Sequence, residues 1–402
     1  MAKLHIFISI HYLEIGGAER SLLGVLKAID TSKYDVDLFV YQHIGEFMSL
    51  LPTNIHLLKE HKRYASIEAS MKRVLIRGYV DIILARFWAK WKYYKYMKET
   101  GCTEGSSIFQ YVADTVTPLL SSLYKYGEYD LAISFLTPHN IVLDKVKAKK
   151  KIAWIHTDYS TIQVNALQEL KVWERYDYIA SISEEVTTAF LKTFPSLKGK
   201  IVLIENILSS AFVREQAIQQ DVSKEMETEK GVVKLCSVGR FTYPKNFDNV
   251  PLICKKIVER GVEVKWFIIG YGGDEKLIKK RIRECGMEQY VILLGKKVNP
   301  YPYMKACDIY VQPSRYEGKA VTVREAQILY KPVVITNFPT AKSQLQDGVD
   351  GLIVPLDNDL AAKGIANFIK NVSLQQRFIE YMQTHDYGNE KEVKKIYALM
   401  EE

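Results

Sequence analysis

Short apolar runs alternate along this chain with longer amphipathic segments. Runs of four to six residues rich in Val, Ile and Leu predict buried strands, and apolar residues three and four positions apart in the segments between them predict helices. The predicted strands form two successive series. The first series is 5–10, 37–41, 131–135, 152–155, 178–182 and 201–204, and the second is 234–239, 264–269, 290–294, 309–312 and 332–336.

Such regular alternation is typical of parallel sheets covered by helices. We therefore predict an α/β fold with two doubly wound, Rossmann-like domains that face each other across a cleft. The first domain is predicted at 1–207, with a C-terminal helix at 376–402 that crosses back to it, and the second at 208–375. Residues 209–230 are polar and lack apolar periodicity, which predicts a linker or surface loop. In doubly wound sheets, ligands bind beyond the carboxyl ends of the strands.

Composition narrows the class of protein. The 402 residues are 48% hydrophobic and 25% charged, which excludes a disordered chain and a polytopic membrane protein. Three charged residues interrupt the apolar stretch 74–87, so no spanning helix is expected. The N-terminus leads straight into a strand pattern, which favours a cytoplasmic protein. The five cysteines are scattered and are expected to be reduced core thiols.

The net charge of +8 is concentrated in one segment, 61–98, which contains ten basic and two acidic residues interleaved with aromatic side chains. Cations beside Trp and Tyr favour an anionic membrane surface. The residues expected to form this membrane or acceptor surface are Arg86, Trp88, Lys90, Trp91, Lys92 and Lys95. Alternatively, the aromatic side chains fill the core of the first domain while the charges face water. Nucleic acid is not expected, since no RNA- or DNA-binding motif accompanies the segment.

Two glutamates eight positions apart, Glu317 and Glu325, follow the fourth strand of the second series. Glu317 is expected in the loop after that strand. Lys319, Ala320 and Val321 are expected in the first turn of the next helix, where free backbone N–H groups and the helix dipole bind anions. Glu325 is expected further along that helix, as an acceptor for ligand hydroxyls. The alternative is an acidic pair on an ordinary solvated helix.

Two cations five positions apart, Arg240 and Lys245, follow the first strand of the second series. A guanidinium and an ammonium that converge on a diphosphate would neutralise its charge. In the first series, Gly16 and Gly17 lie in the turn after the first strand, where glycines permit close approach of a ligand or simply form a tight turn. His156 directly follows the strand 152–155, a position that favours a ligand contact over a structural role.

These motifs resemble those of glycosyltransferase family 4, retaining enzymes with the two-Rossmann-domain GT-B fold. The resemblance implies that the first domain, 1–207, binds the acceptor and the second, 208–375, the nucleotide sugar. It implies that Glu317 lies near the donor sugar and Glu325 on the nucleotide ribose. It also implies phosphate binding by Arg240 and Lys245, and a hydrogen bond from His156 to a sugar hydroxyl. Together, Arg240, Lys245, Glu317 and His156 form the predicted catalytic set. The donor-binding residues that the resemblance adds are Gly16, Gly17, Gly239, Gly270 and Lys297.

The sequence and the resemblance together predict transfer of a hexose or N-acetylhexosamine from a nucleoside-diphosphate sugar, UDP-sugar above all, to a lipid-linked saccharide in cell-surface glycan synthesis. No cofactor and no metal are expected, because no Asp-x-Asp motif stands at a strand end. We expect a cytoplasmic enzyme held peripherally at the membrane. Two alternatives remain open: a nucleotide-sugar epimerase or hydrolase of the same fold, and a non-catalytic partner subunit.

Overall fold

The computed structural model describes residues 3–102, 105–318 and 320–401. The chain forms two compact units, one of Met1–Ile207 with Glu390–Glu402 and one of Leu208–Asn389. The second unit begins where the second domain was predicted. The return to the first unit lies at 390 and not at 376, because the helix Val372–Thr384 packs Phe378 and Met382 into the core of the second unit.

All the strand pairings in the described part of the chain are parallel. The strands of the first unit are β1 (Leu4–Ile10), β2 (Tyr34–Val40), β3 (His56–Leu57), β4 (Glu128–Ser134), β5 (Lys147–Ile155), β6 (Tyr178–Ser181) and β7 (Ile201–Leu203). Those of the second unit are β8 (Val233–Val238), β9 (Val264–Ile269), β10 (Val291–Gly295), β11 (Ile309–Gln312), β12 (Val333–Thr336) and β13 (Leu352–Val354).

Helices connect most of these strands. Those of the first unit are α1 (Gly17–Ala28), α2 (Met71–Ile76), α3 (Val80–Thr100), α4 (Ile108–Val116), α5 (Asn140–Lys145), α6 (Ala166–Trp173), α7 (Glu184–Thr193) and, at the end of the chain, α16 (Val393–Glu401). Those of the second unit are α8 (Ser210–Gln216), α9 (Val250–Val258), α10 (Glu275–Cys285), α11 (Tyr301–Ala306), α12 (Val321–Ile328), α13 (Ala341–Gln344), α14 (Asn358–Lys370) and α15 (Val372–Thr384).

The two sheets share one topology, which confirms the predicted fold class. The first sheet has the order β3-β2-β1-β4-β5-β6-β7 and the second β10-β9-β8-β11-β12-β13. In each sheet the first three strands are added one after another towards one edge. The chain then returns to the centre, and the remaining strands are added towards the opposite edge. The crevice at such a reversal, between β1 and β4 and between β8 and β11, is where doubly wound sheets bind ligands.

Two features of the fold differ from the sequence prediction. The edge strands β3 and β13 were not predicted, because each contains fewer than four consecutive apolar residues. The predicted linker at 209–230 is wrong, since it contains α8, and Phe212, Val213 and Met226 are buried in the second unit. Ser209 directly precedes α8, and its side chain accepts a hydrogen bond from the Phe212 N–H, as expected of a helix N-cap.

Candidate active site

The loops after β8 and β11 meet at an ion pair. Lys245 follows β8 and Glu317 follows β11, and the Lys245 Nζ lies 2.6 Å from the Glu317 Oε1. Because β8 and β11 are neighbours in the sheet, their carboxyl ends bring these loops together. Two sequence motifs that stand 72 positions apart therefore form one site at the reversal point of the second sheet.

The Glu317 carboxylate is held from several sides. Its Oε1 also accepts hydrogen bonds from Gln312 Nε2 at 3.0 Å and from Ser314 Oγ at 2.6 Å. The Glu317 side chain is 8% exposed, so these donors replace most of the water that a carboxylate needs. The sequence did not single out Gln312 or Ser314. Their position in the sequence could have indicated them, because both lie within five residues of Glu317 at the end of a buried strand.

A second ion pair fastens the same two loops together. The Arg315 guanidinium donates to both carboxylate oxygens of Asp248, at 2.8 and 2.7 Å, and lies 4.2 Å from the centre of the Tyr243 ring. The Asp248 carboxylate raises the pKa of Arg315. Asn246, with a left-handed φ of 61°, donates to the Pro313 carbonyl at 2.8 Å. These contacts fix the loop that carries Lys245.

Arg240, the other predicted phosphate-binding cation, is exposed and forms no ion pair with any residue in the described ranges. Lys245, in contrast, is bound to Glu317 and is 23% exposed. The guanidinium is therefore available to an anion, whereas the ammonium is already shared with a carboxylate.

The helix N-terminus after Glu317 differs in part from the prediction. Lys319 lies outside the described residues. Ala320 is the N-cap and not a residue of the first turn, and α12 begins at Val321. The Ala320 N–H, predicted to be free for an anion, donates to Gln344 Oε1 at 2.9 Å. The prediction was wrong here because Gln344, 24 residues further along, reaches this loop and occupies its donor.

Two further predicted donor-side residues are bound within the second unit. Glu325 is fully buried, and its Oε1 accepts a hydrogen bond from the Tyr301 hydroxyl at 2.8 Å. Lys297 forms an ion pair with Glu225 and lies 5.0 Å from the Tyr303 ring centre. The ribose contact of Glu325 and the nucleotide contact of Lys297 therefore stay predictions.

The structure explains the glycines of the predicted donor site in different ways. A Cβ on Gly270 would lie 1.9 Å from the Gly239 carbonyl oxygen, so the loops after β9 and β8 touch only because residue 270 has no side chain. In the first unit, Gly16 is the N-cap of α1 and Gly17 its first residue. A Cβ on Gly16 would meet the Glu19 carboxylate, whereas a Cβ on Gly17 meets nothing within 4 Å.

His156 lies at the carboxyl end of β5, as predicted. Its ring centre is 4.6 Å from that of Phe135, and its Nε2 has no hydrogen-bond partner in the described part of the chain. Burial lowers the pKa of His156 to about 3, so the imidazole is neutral near pH 7. The Asp158 Oδ1, two residues further on, accepts hydrogen bonds from the Ser160 N–H at 2.9 Å and from the Ser160 hydroxyl at 2.7 Å.

Sequence reasoning missed two other histidines at the same sheet edge. His11 directly follows β1 and His139 follows β4, and both are buried. With His156 after β5, they occupy the ends of three neighbouring strands. The Nε2 atoms of His11 and His139 also lack partners among the described residues. The sequence could have indicated both residues in the same way as His156, because each is a histidine within five residues of a strand end.

Helix α3 presents the predicted basic and aromatic surface. Its exposed aromatic residues include Trp88 and Trp91, 51% and 53% exposed, whose rings stack 4.7 Å apart. Three lysines lie against exposed rings: Lys92 on Trp88, Lys95 on Trp91, and Lys90 on Tyr94. The alternative in which the aromatic side chains of this segment fill the core is therefore wrong for Trp88 and Trp91, which are exposed on α3. No helix in the described ranges is long and apolar enough to cross a bilayer.

Arg86 was predicted to belong to this surface, but its side chain is turned away from it. Its guanidinium points inward and donates to the backbone carbonyls of Ser66 and Ala69, at 3.2 and 2.5 Å. The reason is helical periodicity, because position 86 lies on the same face of α3 as the buried residues Ile82 and Tyr93. Burial lowers the pKa of Arg86.

Part of the second unit is similar to a known protein family. Residues 219–385 match the family model of Glycosyl transferases group 1. The chain is 25% identical over 165 residues to the amylovoran biosynthesis glycosyltransferase AmsD of Erwinia amylovora, covering 40% of this chain and 46% of AmsD. It is 28% identical over 179 residues to the poly(ribitol-phosphate) alpha-N-acetylglucosaminyltransferase of Staphylococcus aureus, covering 44% of this chain and 35% of that protein.

A third relative comes from Campylobacter jejuni, the N-acetylgalactosamine-N,N'-diacetylbacillosaminyl-diphospho-undecaprenol 4-alpha-N-acetylgalactosaminyltransferase. It is 27% identical over 146 residues, covering 36% of this chain and 39% of that protein. The chain thus spans less than half the length of the curated relatives it matches.

Solved structures show the fold of the whole chain. A glycosyltransferase from Rickettsia africae has a TM-score of 0.65 at 14% identity, covering 100% of this chain and 98% of that one. A mutant of S. aureus TarM in complex with UDP has a TM-score of 0.65 at 12% identity, and Anabaena HepE in complex with UDP has 0.61 at 15%; both comparisons cover 99% of each chain. The chain therefore has the GT-B fold.

Proposed function

We propose that the chain is a retaining glycosyltransferase of the family 4 type, which moves a hexose or N-acetylhexosamine from a UDP-sugar to a lipid-linked saccharide. The product would belong to a capsule, an exopolysaccharide or another cell-surface glycan. The observation that carries this proposal is the Lys245–Glu317 pair, which joins the loops after β8 and β11 within a group 1 domain. The name of the Campylobacter relative, which contains a saccharide on diphospho-undecaprenol, supports the lipid-linked acceptor.

The chemistry assigned to these residues is stabilisation of the leaving diphosphate. Arg240 would bind phosphate oxygens directly, and Lys245, held in place by Glu317, would supply a second positive charge. Cations positioned before the reaction stabilise the charge that develops on the leaving group without reorganising. We propose that these cations replace a metal ion. Glu317 and neutral His156 would hold sugar hydroxyls, and the departing phosphate would help deprotonate the acceptor hydroxyl.

The test is release of UDP by the purified full chain. With UDP-glucose and UDP-N-acetylglucosamine as donors, we expect UDP release that requires a lipid extract from a glycan-producing bacterium and that persists in EDTA. Release with the donor alone would indicate the epimerase or hydrolase alternative instead. Product analysis would show an α-linkage from an α-linked donor. Absence of release with every donor and extract, while the chain is folded, would favour a non-catalytic partner subunit.

The chain is further proposed to bind the anionic inner face of a membrane through α3. Residues Leu84, Trp88 and Trp91 lie on one face of that helix and are 64%, 51% and 53% exposed. Indole rings favour the lipid headgroup zone, and a lysine near an anionic leaflet contributes about 1 kcal/mol. The lysines that lie against exposed rings, Lys90, Lys92 and Lys95, therefore contribute about 3 kcal/mol together, or more than 100-fold in affinity.

Flotation with vesicles tests this surface. Wild type should float with vesicles of phosphatidylglycerol and phosphatidylcholine and stay behind with phosphatidylcholine alone. Replacement of Lys90, Lys92 and Lys95 by Gln should abolish flotation. A matched control replaces three exposed lysines on α10, Lys276, Lys279 and Lys280, by Gln and should float as wild type does. Equal loss in both variants would mean that net charge, and not α3, holds the chain at the vesicle.

A further inference from the structure

A buried glutamine lies behind the Lys245–Glu317 pair. Gln312 is the last residue of β11 and is fully buried. Its Nε2 donates hydrogen bonds to the Glu317 Oε1 at 3.0 Å and to the Ser314 Oγ at 2.9 Å. An ionised carboxylate can only accept hydrogen bonds, so the NH₂ group of the Gln312 side chain, and not its oxygen, faces Glu317. The chemistry proposed above uses Glu317 but gives Gln312 no part.

Two hydroxyl groups fix the orientation of Gln312 from its other side. The Gln312 Oε1 accepts hydrogen bonds from the Tyr310 hydroxyl at 2.7 Å and from the Thr322 hydroxyl, in the first turn of α12, at 3.1 Å. Burial raises the pKa of the Tyr310 phenol, so this hydroxyl keeps the proton that it donates. A Gln312 amide turned by 180° would place its oxygen against the Glu317 carboxylate, an unfavourable contact between two acceptors.

The backbone around Glu317 is fixed as well. The Thr340 hydroxyl donates to the Glu317 carbonyl oxygen at 2.7 Å. The Thr336 hydroxyl, at the end of β12, donates to the Ser314 carbonyl oxygen at 2.5 Å. With the backbone of the loop held in this way, the direction of the Glu317 side chain is set by the hydrogen bonds of its carboxylate.

The two carboxylate oxygens of Glu317 differ in their partners. Oε1 accepts hydrogen bonds from Gln312, from the Ser314 Oγ at 2.6 Å and from the Lys245 Nζ at 2.6 Å. Oε2 accepts none from any residue in the part of the chain that the structure describes. Three donors therefore converge on one oxygen, and the lone pairs of the other oxygen remain for a ligand.

We propose that Gln312 is a positioning residue that acts through Glu317. With the Tyr310 and Thr322 hydroxyls behind it, Gln312 holds Oε1 towards Lys245 and leaves Oε2 to the donor sugar. The inference rests on the proposed function and adds to it a residue that orients the carboxylate from inside the second unit. Without Gln312 the carboxylate can turn, and a displacement of about 1 Å at a reaction centre slows a reaction by up to about 100-fold.

The test is a double-variant cycle on the rate of acceptor-dependent UDP release at saturating donor. The four proteins are wild type, Gln312→Leu, Glu317→Ala and the double variant, assayed with enough protein to keep the slowest rate above background. Gln312→Leu should slow release at least tenfold, while its calorimetric affinity for UDP, which carries no sugar, stays within twofold. In the Glu317→Ala background the same change should slow release less than threefold, because no carboxylate is left to orient.

Two further variants serve as controls. Gln327→Leu removes another fully buried glutamine, whose Nε2 donates to the Asp350 carbonyl oxygen at 3.4 Å, and should leave UDP release within twofold of wild type. Tyr310→Phe keeps the ring and removes one hydroxyl behind Gln312. It replaces Gln312→Leu if melting curves show that the latter does not fold, and it should slow release at least threefold.

Three results would overturn the inference: a wild-type rate in both Gln312→Leu and Tyr310→Phe, effects of Gln312→Leu and Glu317→Ala that multiply in the double variant, or a loss of UDP affinity equal to the loss of rate. Each of these, with an active wild type, leaves the proposed function intact. A wild type that releases no UDP would refute the proposed function instead. The melting temperatures of the four proteins then decide the contact, since losses that add in the double variant would show that Gln312 does not act through Glu317.

Discussion

The Lys245–Glu317 pair allows a quantitative test of how the two loops are held together. We would replace Lys245 by Met, Glu317 by Gln, and both together, and measure the free energy of unfolding of each protein. The pair is 2.6 Å apart, with the ammonium 23% and the carboxylate 8% exposed. At an effective dielectric constant of about 20, the Coulomb attraction at that distance is about 6 kcal/mol.

Desolvation of both groups offsets most of this attraction, as in other buried pairs. Removing Lys245 leaves the Glu317 carboxylate with the Gln312 and Ser314 donors, so we expect a loss of about 2–3 kcal/mol, below the about 3–5 kcal/mol of a fully buried pair. Replacing Glu317 by Gln should cost about 1–2 kcal/mol, because the amide still accepts one hydrogen bond. The double variant should lose less than the sum, with a coupling energy of about 1–2 kcal/mol.

Urea unfolding followed by tryptophan fluorescence and far-UV circular dichroism gives these energies. The matched control is the Glu275–Lys279 pair on α10, also 2.6 Å apart but 43% and 54% exposed. Its cycle, Lys279→Met with Glu275→Gln, should show a coupling of only about 0.3–0.5 kcal/mol. Additivity of the Lys245 and Glu317 variants to within about 0.3 kcal/mol would refute the argument that burial strengthens this pair.

Three further predictions concern single residues. Gly270→Ala should destabilise the chain by about 2 kcal/mol or more, because its Cβ would lie 1.9 Å from the Gly239 carbonyl oxygen, whereas Gly273→Ala, with nothing within 4 Å, should stay within about 0.5 kcal/mol in urea unfolding. Equal effects would contradict this packing. His156 should make the wild type lose stability as the pH falls from 6.5 towards 3, because the unfolded chain binds a proton that the desolvated His156 ring does not. Its contribution to the slope is up to about 1.4 kcal/mol per pH unit. His156→Phe should reduce that slope by this amount between pH 6 and pH 4, and an unchanged slope would mean that the ring is protonated in the fold. Arg240→Gln should keep the melting temperature of the wild type and slow UDP release about 100- to 1,000-fold, and a variant of normal rate would remove Arg240 from the site.

The sequence predicted the central strands because they are buried on both faces and therefore form continuous apolar runs, as in 152–155. It missed β3 and β13, which lie at the sheet edges and are too short for such a run. It mistook 209–230 for a linker because the buried residues of α8 are few and spaced among polar ones.

The candidate site was predicted residue by residue but not as a set of contacts. Arg240, Lys245 and Glu317 were candidates because each follows a strand end and fits a motif. The Lys245–Glu317 bond requires the sheet order that makes β8 and β11 neighbours, and the occupation of the Ala320 amide by Gln344 depends on a loop 24 residues away. Neither pairing is visible as a local pattern.

We propose that the loops after β8 and β11 bind the diphosphate of a nucleotide sugar. Calorimetric titration of the full chain with UDP tests it most directly, with Arg240→Gln beside Arg281→Gln, which removes an exposed arginine of α10. We expect UDP to bind the wild type and Arg281→Gln equally and Arg240→Gln at least tenfold more weakly. UDP that does not bind, or that binds all three proteins alike, would contradict it.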